Sequence, residues 1–403
     1  MNFPNLEDGH LIPLYQKFPR KIVRGEGALL FDESGEEYID LSGGYGVAIV
    51  GHSNPKVSEA IAEQARRLIT CHGSLYNDSR EAYLGAIIKV LPQKLTHLYF
   101  CNSGAEANEA AMKFSRKATG RKRIVAFTGS YHGKTYGALS ATWNQKYRAG
   151  FGQMSEDVQF APFGNLEKAS QVLDETIAAI IVEPIQGESG VHVPPEDFLP
   201  GLRDLADKNG SMLIFDEVQS GFGRTGKLWA SEYWKTDPDV LTASKGIAGG
   251  FPFAFSAVND KISDSMKPGD HTSTFGGNPL GCAAAKAALD FLIGEGLLEK
   301  AQVTGAYFKE RLEDLRRKHP SIIREVRGMG LMLAAELKFP VKDVILRGFE
   351  SNLILLYAGL NILRFLPPLV ITKNQIDTTI ERLDQIISEI ENKMAVAKTV
   401  GAN

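Results

Sequence analysis

Lys245 carries the strongest chemical signal in this chain. It lies in Thr242-Ala243-Ser244-Lys245-Gly246, directly after the apolar pair Val240-Leu241, with Gly249-Gly250 close behind. Lysines are ordinarily solvated surface charges. One flanked by Ala, Ser and Gly at the end of an apolar run is a candidate for a partly desolvated amine of lowered pKa, able to condense with an aldehyde.

Three more segments follow apolar runs in the same way. Asp216-Glu217-Val218-Gln219 succeeds Ser211 to Phe215. A carboxylate there commonly caps the next turn; beside a pyridine ring, Asp216 would instead make a charged hydrogen bond to the protonated ring nitrogen, with Gln219 in reach of a ring hydroxyl. Asn102-Ser103-Gly104-Ala105-Glu106-Ala107-Asn108 follows Leu98 to Phe100 and opens a helix toward Gly120. Ser103 with Glu106 reads as a capping box, and Gly104 as a point where backbone could approach an anion held by free N–H groups and the helix dipole. Tyr131-His132-Gly133-Lys134 comes shortly after Ile124 to Phe127. Tyr131 could stack on a planar ligand or simply fill the core, and His132 alone says little.

Gly221-Phe222-Gly223-Arg224-Thr225-Gly226-Lys227-Leu228 matches the G-x-x-x-x-G-K of a nucleotide-binding loop but fails at its end. Leu228 replaces the magnesium-ligating Ser or Thr, and Asp216 to Ser220 separate the apolar run from the glycines. The chain has no H-E-x-x-H, no G-x-S-x-G and no Cys/His metal spacing, so no metal site is expected.

These segments need a scaffold. Between about Pro55 and Gly294, the apolar runs Leu98–Phe100, Ile124–Phe127, Ala179–Val182 and Met212–Phe215 alternate with helical patterns, implying a largely parallel sheet covered on both faces. In such a sheet, ligands sit beyond the carboxyl ends of the strands, where all four segments fall. Lys21 to Asp40 reads as short antiparallel strands. After Gly294 an amphipathic helix (Leu297, Ala301, Phe308, Leu312, Leu315) stops before Pro320, a strand-like run spans Leu331 to Leu337, and a last helix carries Ile376, Ile380, Leu383, Ile387, Ile390 and Met394. The expected class is α/β: a large domain over residues 55–294, and a smaller α+β domain from residues 1–54 and 295–403.

Composition excludes several alternatives. At 403 residues, 43% hydrophobic, 23% charged and a formal charge of -3, nothing suggests a nucleic-acid partner. No apolar run reaches the roughly 18 residues of a membrane span, and Met1 to Arg20, with Pro4, Glu7, Asp8, Pro13 and Pro19, lacks the apolar core of a signal peptide. Cys71, Cys101 and Cys282 are odd in number and far apart, which suits a reducing cytoplasm.

Taken together, the segments above with Val182-Glu183-Pro184-Ile185-Gln186-Gly187-Glu188, the Asp216-to-Gly226 stretch and Thr274-Phe275-Gly276-Gly277-Asn278-Pro279 resemble the class III (ornithine, acetylornithine and 4-aminobutyrate) aminotransferases. The likeness runs from about Pro19 to the last helix. It implies a fold-type I pyridoxal 5'-phosphate enzyme with a mainly parallel, seven-stranded sheet, and a homodimer with shared active sites. It implies Lys245 as the residue that binds the cofactor aldehyde and moves the proton, and Asp216 on the ring nitrogen. Val218 and Tyr131 would pack on the ring faces and Gln219 would address the ring oxygen. His132 belongs to the same cofactor wall; Ser103, Gly104 and Ala105 would hold the phosphate, and Thr274 with Ser273 would serve the neighbouring subunit's phosphate or substrate. Glu188 and Arg364 match a switchable pair, in which Arg364 takes the glutamate α-carboxylate bidentately and turns to Glu188 for a distal amine.

Lys134 stands where ornithine-type members more often have Arg, and offers a substrate carboxylate a point charge instead of a fork. The run His132 to Asn144 and Ala105 resemble archaeal members acting on lysine or ornithine attached to a carrier protein; Ser189, where Gly is usual, has no account. The expected reaction moves the terminal amine of an N-blocked lysine or ornithine, small or carrier-protein-bound, to 2-oxoglutarate in lysine or arginine biosynthesis. The alternatives are a 4-aminobutyrate-type or other ω-amine transaminase, a same-fold decarboxylase or mutase, and a non-catalytic carrier-binding subunit.

Overall fold

The computed structural model describes residues 6–400, with side chains through Met394. Pro4 and residues 401–403 of the C-terminal segment lie outside the described residues. In chain order the strands are β1 (Ile22–Glu26), β2 (Leu29–Asp32), β3 (Glu37–Asp40), β4 (His97–Cys101), β5 (Arg123–Phe127), β6 (Val158–Ala161), β7 (Ile177–Val182), β8 (Met212–Asp216), β9 (Val240–Ala243), β10 (Ala254–Val258), β11 (Ile323–Met329), β12 (Met332–Leu337), β13 (Leu353–Ile354), β14 (Leu356–Ala358) and β15 (Ile362–Phe365).

Seven strands form the central sheet in the order β4-β10-β9-β8-β7-β5-β6. All neighbours from β9 to β6 pair in parallel. β10 runs antiparallel to both β4 and β9, which leaves β4 in the common direction. The reason is visible in β7, Ile-Ala-Ala-Ile-Ile-Val, where every residue is buried: a strand apolar on both faces is stable only between two helical layers. Because β4, β5, β7, β8 and β9 point the same way, their C-terminal ends, and the polar segments that follow them, share one edge.

Local chemistry sets the helix that borders this edge. Ser103 is extended (φ -144°, ψ 157°) and its hydroxyl accepts from the Glu106 N–H, which starts the helix Gly104–Thr119; Gly120, left-handed at φ 69°, ends it. Its inner face buries Ala107, Ala110, Ala111, Met112 and Phe114.

Two smaller sheets flank this body. β1, β2 and β3 are antiparallel, and β13 joins β3 in parallel with Leu353 opposite Ile39, so segments from both chain ends share one sheet. β11-β12-β15-β14 is antiparallel throughout. Its inner face enters the core of the large sheet: Met332, Ala334, Leu356 and Ile362 pack in one cluster with Val182, Ile185 and Phe215. That shared core fixes β15, and with it Arg364, against the edge where the polar segments meet.

Among the described residues no helix is long and apolar enough to cross a membrane, and no group of three His, Cys, Asp or Glu side chains is arranged to hold a metal. Gly221 to Gly226 forms consecutive turns rather than a strand-to-helix loop. Arg224 within it is fully buried and donates to the carbonyls of Leu331 and Pro367, so this segment is a structural junction with the C-terminal sheet.

Candidate active site

Asp216 closes β8 and is 3% exposed. Its Oδ2 accepts from His132 Nδ1 at 2.7 Å and from Asn108 Nδ2 at 2.7 Å, and its Oδ1 accepts the Val218 N–H at 3.0 Å. A carboxylate has about four acceptor sites. Three are in use here, and the one left belongs to Oδ1. Asn108 is itself clamped: its Nδ2 also donates to the His132 carbonyl, and Thr242 Oγ1 donates to its Oδ1 at 2.8 Å. The chain Thr242–Asn108–Asp216–His132 therefore ties β9, the Gly104–Thr119 helix, β8 and the loop after β5 into one network.

Lys245 follows β9 with a left-handed φ of 51°, unusual for a residue with a Cβ. It keeps partial solvent access, yet enough protein surrounds it that desolvation lowers its ammonium pKa, against the opposing pull of Asp216, Glu188 and Glu183. Glu183, just past β7, accepts backbone N–H groups of Tyr131 and Gly187. Burial, and then the charge of Asp216, push its carboxyl well above the usual range.

Glycine contacts show how tightly the segments converge. A Cβ on Gly104 would sit 2.7 Å from Val218 Cγ1, and one on Gly187 would meet Gln219 Oε1 at 1.6 Å. Val218 thus lies directly on the start of the Gly104–Thr119 helix, where Gly104 and Ala105 have no intrahelical acceptor for their N–H groups. Ser103 both accepts from Glu106 N–H and donates to Glu106 Oε2, and Glu106 also accepts the Asn102 N–H. Ser103 therefore caps this helix, with the return bond to Glu106 made by the Asn102 N–H in place of the Ser103 N–H of a capping box, and the free N–H groups lie beside it.

On the opposite side, Arg364 is fully buried and donates through Nη1 to Glu188 Oε2 at 2.8 Å and, at 3.4 Å, to Gln219 Oε1. Its Nε and Nη2 have no partner among the described residues. Glu188, 26% exposed, also accepts from the Tyr147 hydroxyl at 3.3 Å. Lys134 is exposed, with its ammonium over the ring of Tyr147 at 4.8 Å and that of Tyr131 at 6.0 Å. Ser189 Oγ donates to Gln186 Oε1 at 3.2 Å, which gives this departure from glycine a local bond.

Most of the expected residues thus meet at one edge: Ser103, Gly104, Ala105, Tyr131, His132, Asp216, Val218, Gln219, Lys245, Glu188 and Arg364, with Lys134 at the rim. Ser273 is tied to Asn102 Nδ2 at 3.4 Å and to the Gly276 N–H, while Thr274 points to solvent. Four residues of the site escaped sequence reasoning. Asn108 lay inside a quoted motif but has no signal apart from its position. Glu183 needed its burial. Tyr45, left-handed at φ 64° and under the electrostatic influence of Glu188 and Arg364, and Tyr147 come from separate loops; only the glycines around Tyr45 hinted at it.

Residues 13–387 match the family described as Aminotransferase class-III. The chain is 42% identical over 389 residues to the LysW-aminoadipate semialdehyde/glutamate semialdehyde transaminase of Sulfurisphaera tokodaii, covering 96% of this chain and 99% of that one. It is 39% identical over 392 residues to the acetylornithine aminotransferase of Caldanaerobacter subterraneus subsp. tengcongensis, covering 95% and 98%. Among solved structures, an ornithine aminotransferase from Toxoplasma gondii with pyridoxal phosphate partly occupying its active site superposes with a TM-score of 0.92 at 30% identity, over 96% of this chain and 94% of that one. The protein therefore belongs to the class III aminotransferases, fold-type I enzymes that transfer amino groups with pyridoxal 5'-phosphate.

Proposed function

We propose that this enzyme moves the terminal amino group of an N-blocked lysine or ornithine to 2-oxoglutarate, as a cytoplasmic homodimer. The single observation that carries the substrate reading is the buried Arg364–Glu188 pair facing Lys245, with two guanidinium nitrogens still unpartnered.

The residues fit the cofactor. The acceptor site left on Asp216 Oδ1 suits a protonated ring nitrogen, the desolvated Lys245 suits its aldehyde, and the free N–H groups at Gly104 and Ala105 suit its phosphate. Val218 and Tyr131 flank the space between them, Gln219 is placed for the ring oxygen, and His132 steadies Asp216. When bound, pyridoxal phosphate supplies an electron sink that acidifies the carbon bearing the amine. Lys245 Nζ takes up and returns the proton at that carbon, and its lowered pKa keeps more of it in the basic form near neutrality.

Arg364 would take the α-carboxylate of glutamate through its fork, displacing Glu188; with a distal-amine donor, Glu188 stays and neutralises it. An N-blocked donor suits Lys134, whose point charge attracts the donor's carboxylate. Its exposed position also leaves room for a bulky blocking group. The names of the relatives agree with this donor class. Thr274, exposed next to Ser273 at the edge of the Asn102 loop, suits a role in a second copy's site, which is the support for the shared-site dimer. The unpaired thiols Cys71, Cys101 and Cys282 suit a reducing compartment. We further assign residues 55–294 to the cofactor domain and the two chain ends to the smaller one.

The test is a panel of amine donors on the holoenzyme: N-acetylornithine, N-acetyllysine, their free counterparts and 4-aminobutyrate, scored by loss of the visible absorbance of the lysine-bound cofactor. N-blocked donors should react fastest. Preference for 4-aminobutyrate would favour the ω-amine alternative and remove this reading.

A further inference from the structure

Tyr147 is the third residue of a four-residue helix, Gln145–Arg148, in the stretch after the Tyr131 loop. It touches three members of the substrate side at once. Its hydroxyl donates to Glu188 Oε1 at 3.3 Å while Arg364 holds the other carboxylate oxygen, Oε2, at 2.8 Å. Its ring carries the Lys134 ammonium 4.8 Å from the centroid. It also stands edge-on to Tyr131, with centroids 5.6 Å apart at 77°. Asp or Glu could not replace it, since either would repel Glu188, and a residue without a ring would leave Lys134 unseated.

We propose that Tyr147 is a specificity-determining, positioning residue: its hydroxyl latches Glu188 in the position that covers Arg364, and its ring seats Lys134 for the donor's carboxylate. The inference rests on the Arg364–Glu188 switch proposed above. Two physical points support it. Glu188 is partly exposed and makes one short bond to Arg364, so a second partner on its free oxygen changes how readily the pair opens. The latch is also always available: burial, and then the charge of Glu188, push the Tyr147 hydroxyl up to about 12, so it remains a donor across the working pH range. A cation over an aromatic ring at an exposed site is held weakly, which orients Lys134 without immobilising it.

The donor half-reaction uses the covered state and the glutamate half-reaction the uncovered one. Removing only the hydroxyl therefore moves the two Michaelis constants in opposite directions, a signature that general damage to the site would not produce.

The experiment measures KM for N-acetylornithine and for glutamate in the holoenzyme and in Y147F, Y147L, E188Q and Y147F/E188Q. Loss of one hydrogen bond of ordinary strength corresponds to a roughly threefold to tenfold change. Y147F should lower KM for glutamate and raise KM for N-acetylornithine, each by about threefold. Y147L should raise the N-acetylornithine value further, because Lys134 loses its seat. Y147F should add little to E188Q, since the latch acts through that carboxylate. If E188Q shifts the ratio of the two constants and Y147F does not, the Tyr147 proposal is wrong while the switch stands. If neither shifts it, the switch itself is wrong. Equal N-acetylornithine values for Y147F and Y147L would refute the seating of Lys134.

Discussion

The floor of the site and its mouth are built on opposite rules. On the floor, Asp216 is buried and holds three short contacts, and Asn108 among its partners is anchored in turn by Thr242 and the His132 carbonyl. At the mouth, Glu188 and Lys134 keep solvent access, their contacts to Tyr147 are long, and buried Arg364 uses one nitrogen and leaves two idle. A densely bonded network resists rearrangement, because each bond given up leaves a polar group unpaired in low dielectric. A partly satisfied one can exchange partners. The floor therefore suits one invariant task, holding a charge where electrons must flow, and the mouth suits two substrates in turn.

That contrast predicts which variants lose turnover and which change selectivity. Lys245→Ala should be the most damaging. It removes the amine proposed as both attachment point and base, and kcat should drop by about ten thousandfold, the upper range for a positioned base, with loss of the visible cofactor band; retained turnover would break the assignment. Asp216→Ala comes next. A preorganised charge contact is worth on the order of a hundredfold to a thousandfold in kcat, and proton removal should suffer more than cofactor retention. Equal turnover would erase the floor's distinct role.

Arg364→Ala tests the mouth. Truncating one partner of a buried charged pair costs about 2–5 kcal/mol, so KM for glutamate should rise by roughly thirtyfold or more, well beyond any rise for N-acetylornithine. The reverse order would mean the carboxylates are misassigned. Asn108→Ala touches only the support of Asp216, and about one hydrogen bond's worth, roughly tenfold in kcat, is expected, with KM for both substrates little changed; a selective effect on one substrate would blur the division between floor and mouth.

The smallest effect is on stability. Glu183 has its folded pKa raised by burial and Asp216, so between the ordinary value of 4.5 and that raised value the folded protein binds a proton the unfolded chain has lost. Stability then falls as pH climbs through that window. Glu183→Gln keeps an acceptor for the Tyr131 and Gly187 N–H groups and removes the titration. Its urea midpoint should lose less than the parent's as pH rises above the ordinary value of 4.5, and parallel curves would show that Glu183 is ionised in the fold.

The floor was largely legible before any coordinates. Lys245, Asp216 and the Ser103 loop each follow an apolar run, and parallel strands put successive run ends on one edge, so adjacency in space follows from a local pattern repeated along the chain. Strand β10 was less legible, because Ala254 to Val258 reads as one more apolar run and only its register against β4 and β9 reverses it. The mouth was legible only through likeness to a family. Arg364 sits mid-strand in β15, 176 residues from Glu188, and nothing in Ile362-Leu363-Arg364-Phe365 says that its charge will be fully buried.

Sequence by itself determined the class of fold, the order of the motifs and the placing of Lys245 and Asp216 at the ends of neighbouring strands, because hydrophobic period and residue type are local properties. The tertiary structure alone decided which polar groups share a partner. The link from Thr242 through Asn108 to Asp216, the burial of Glu183 beside Asp216 and the meeting of Tyr147 with Glu188 and Lys134 depend on distances between remote segments, and those exist only once the sheets have packed.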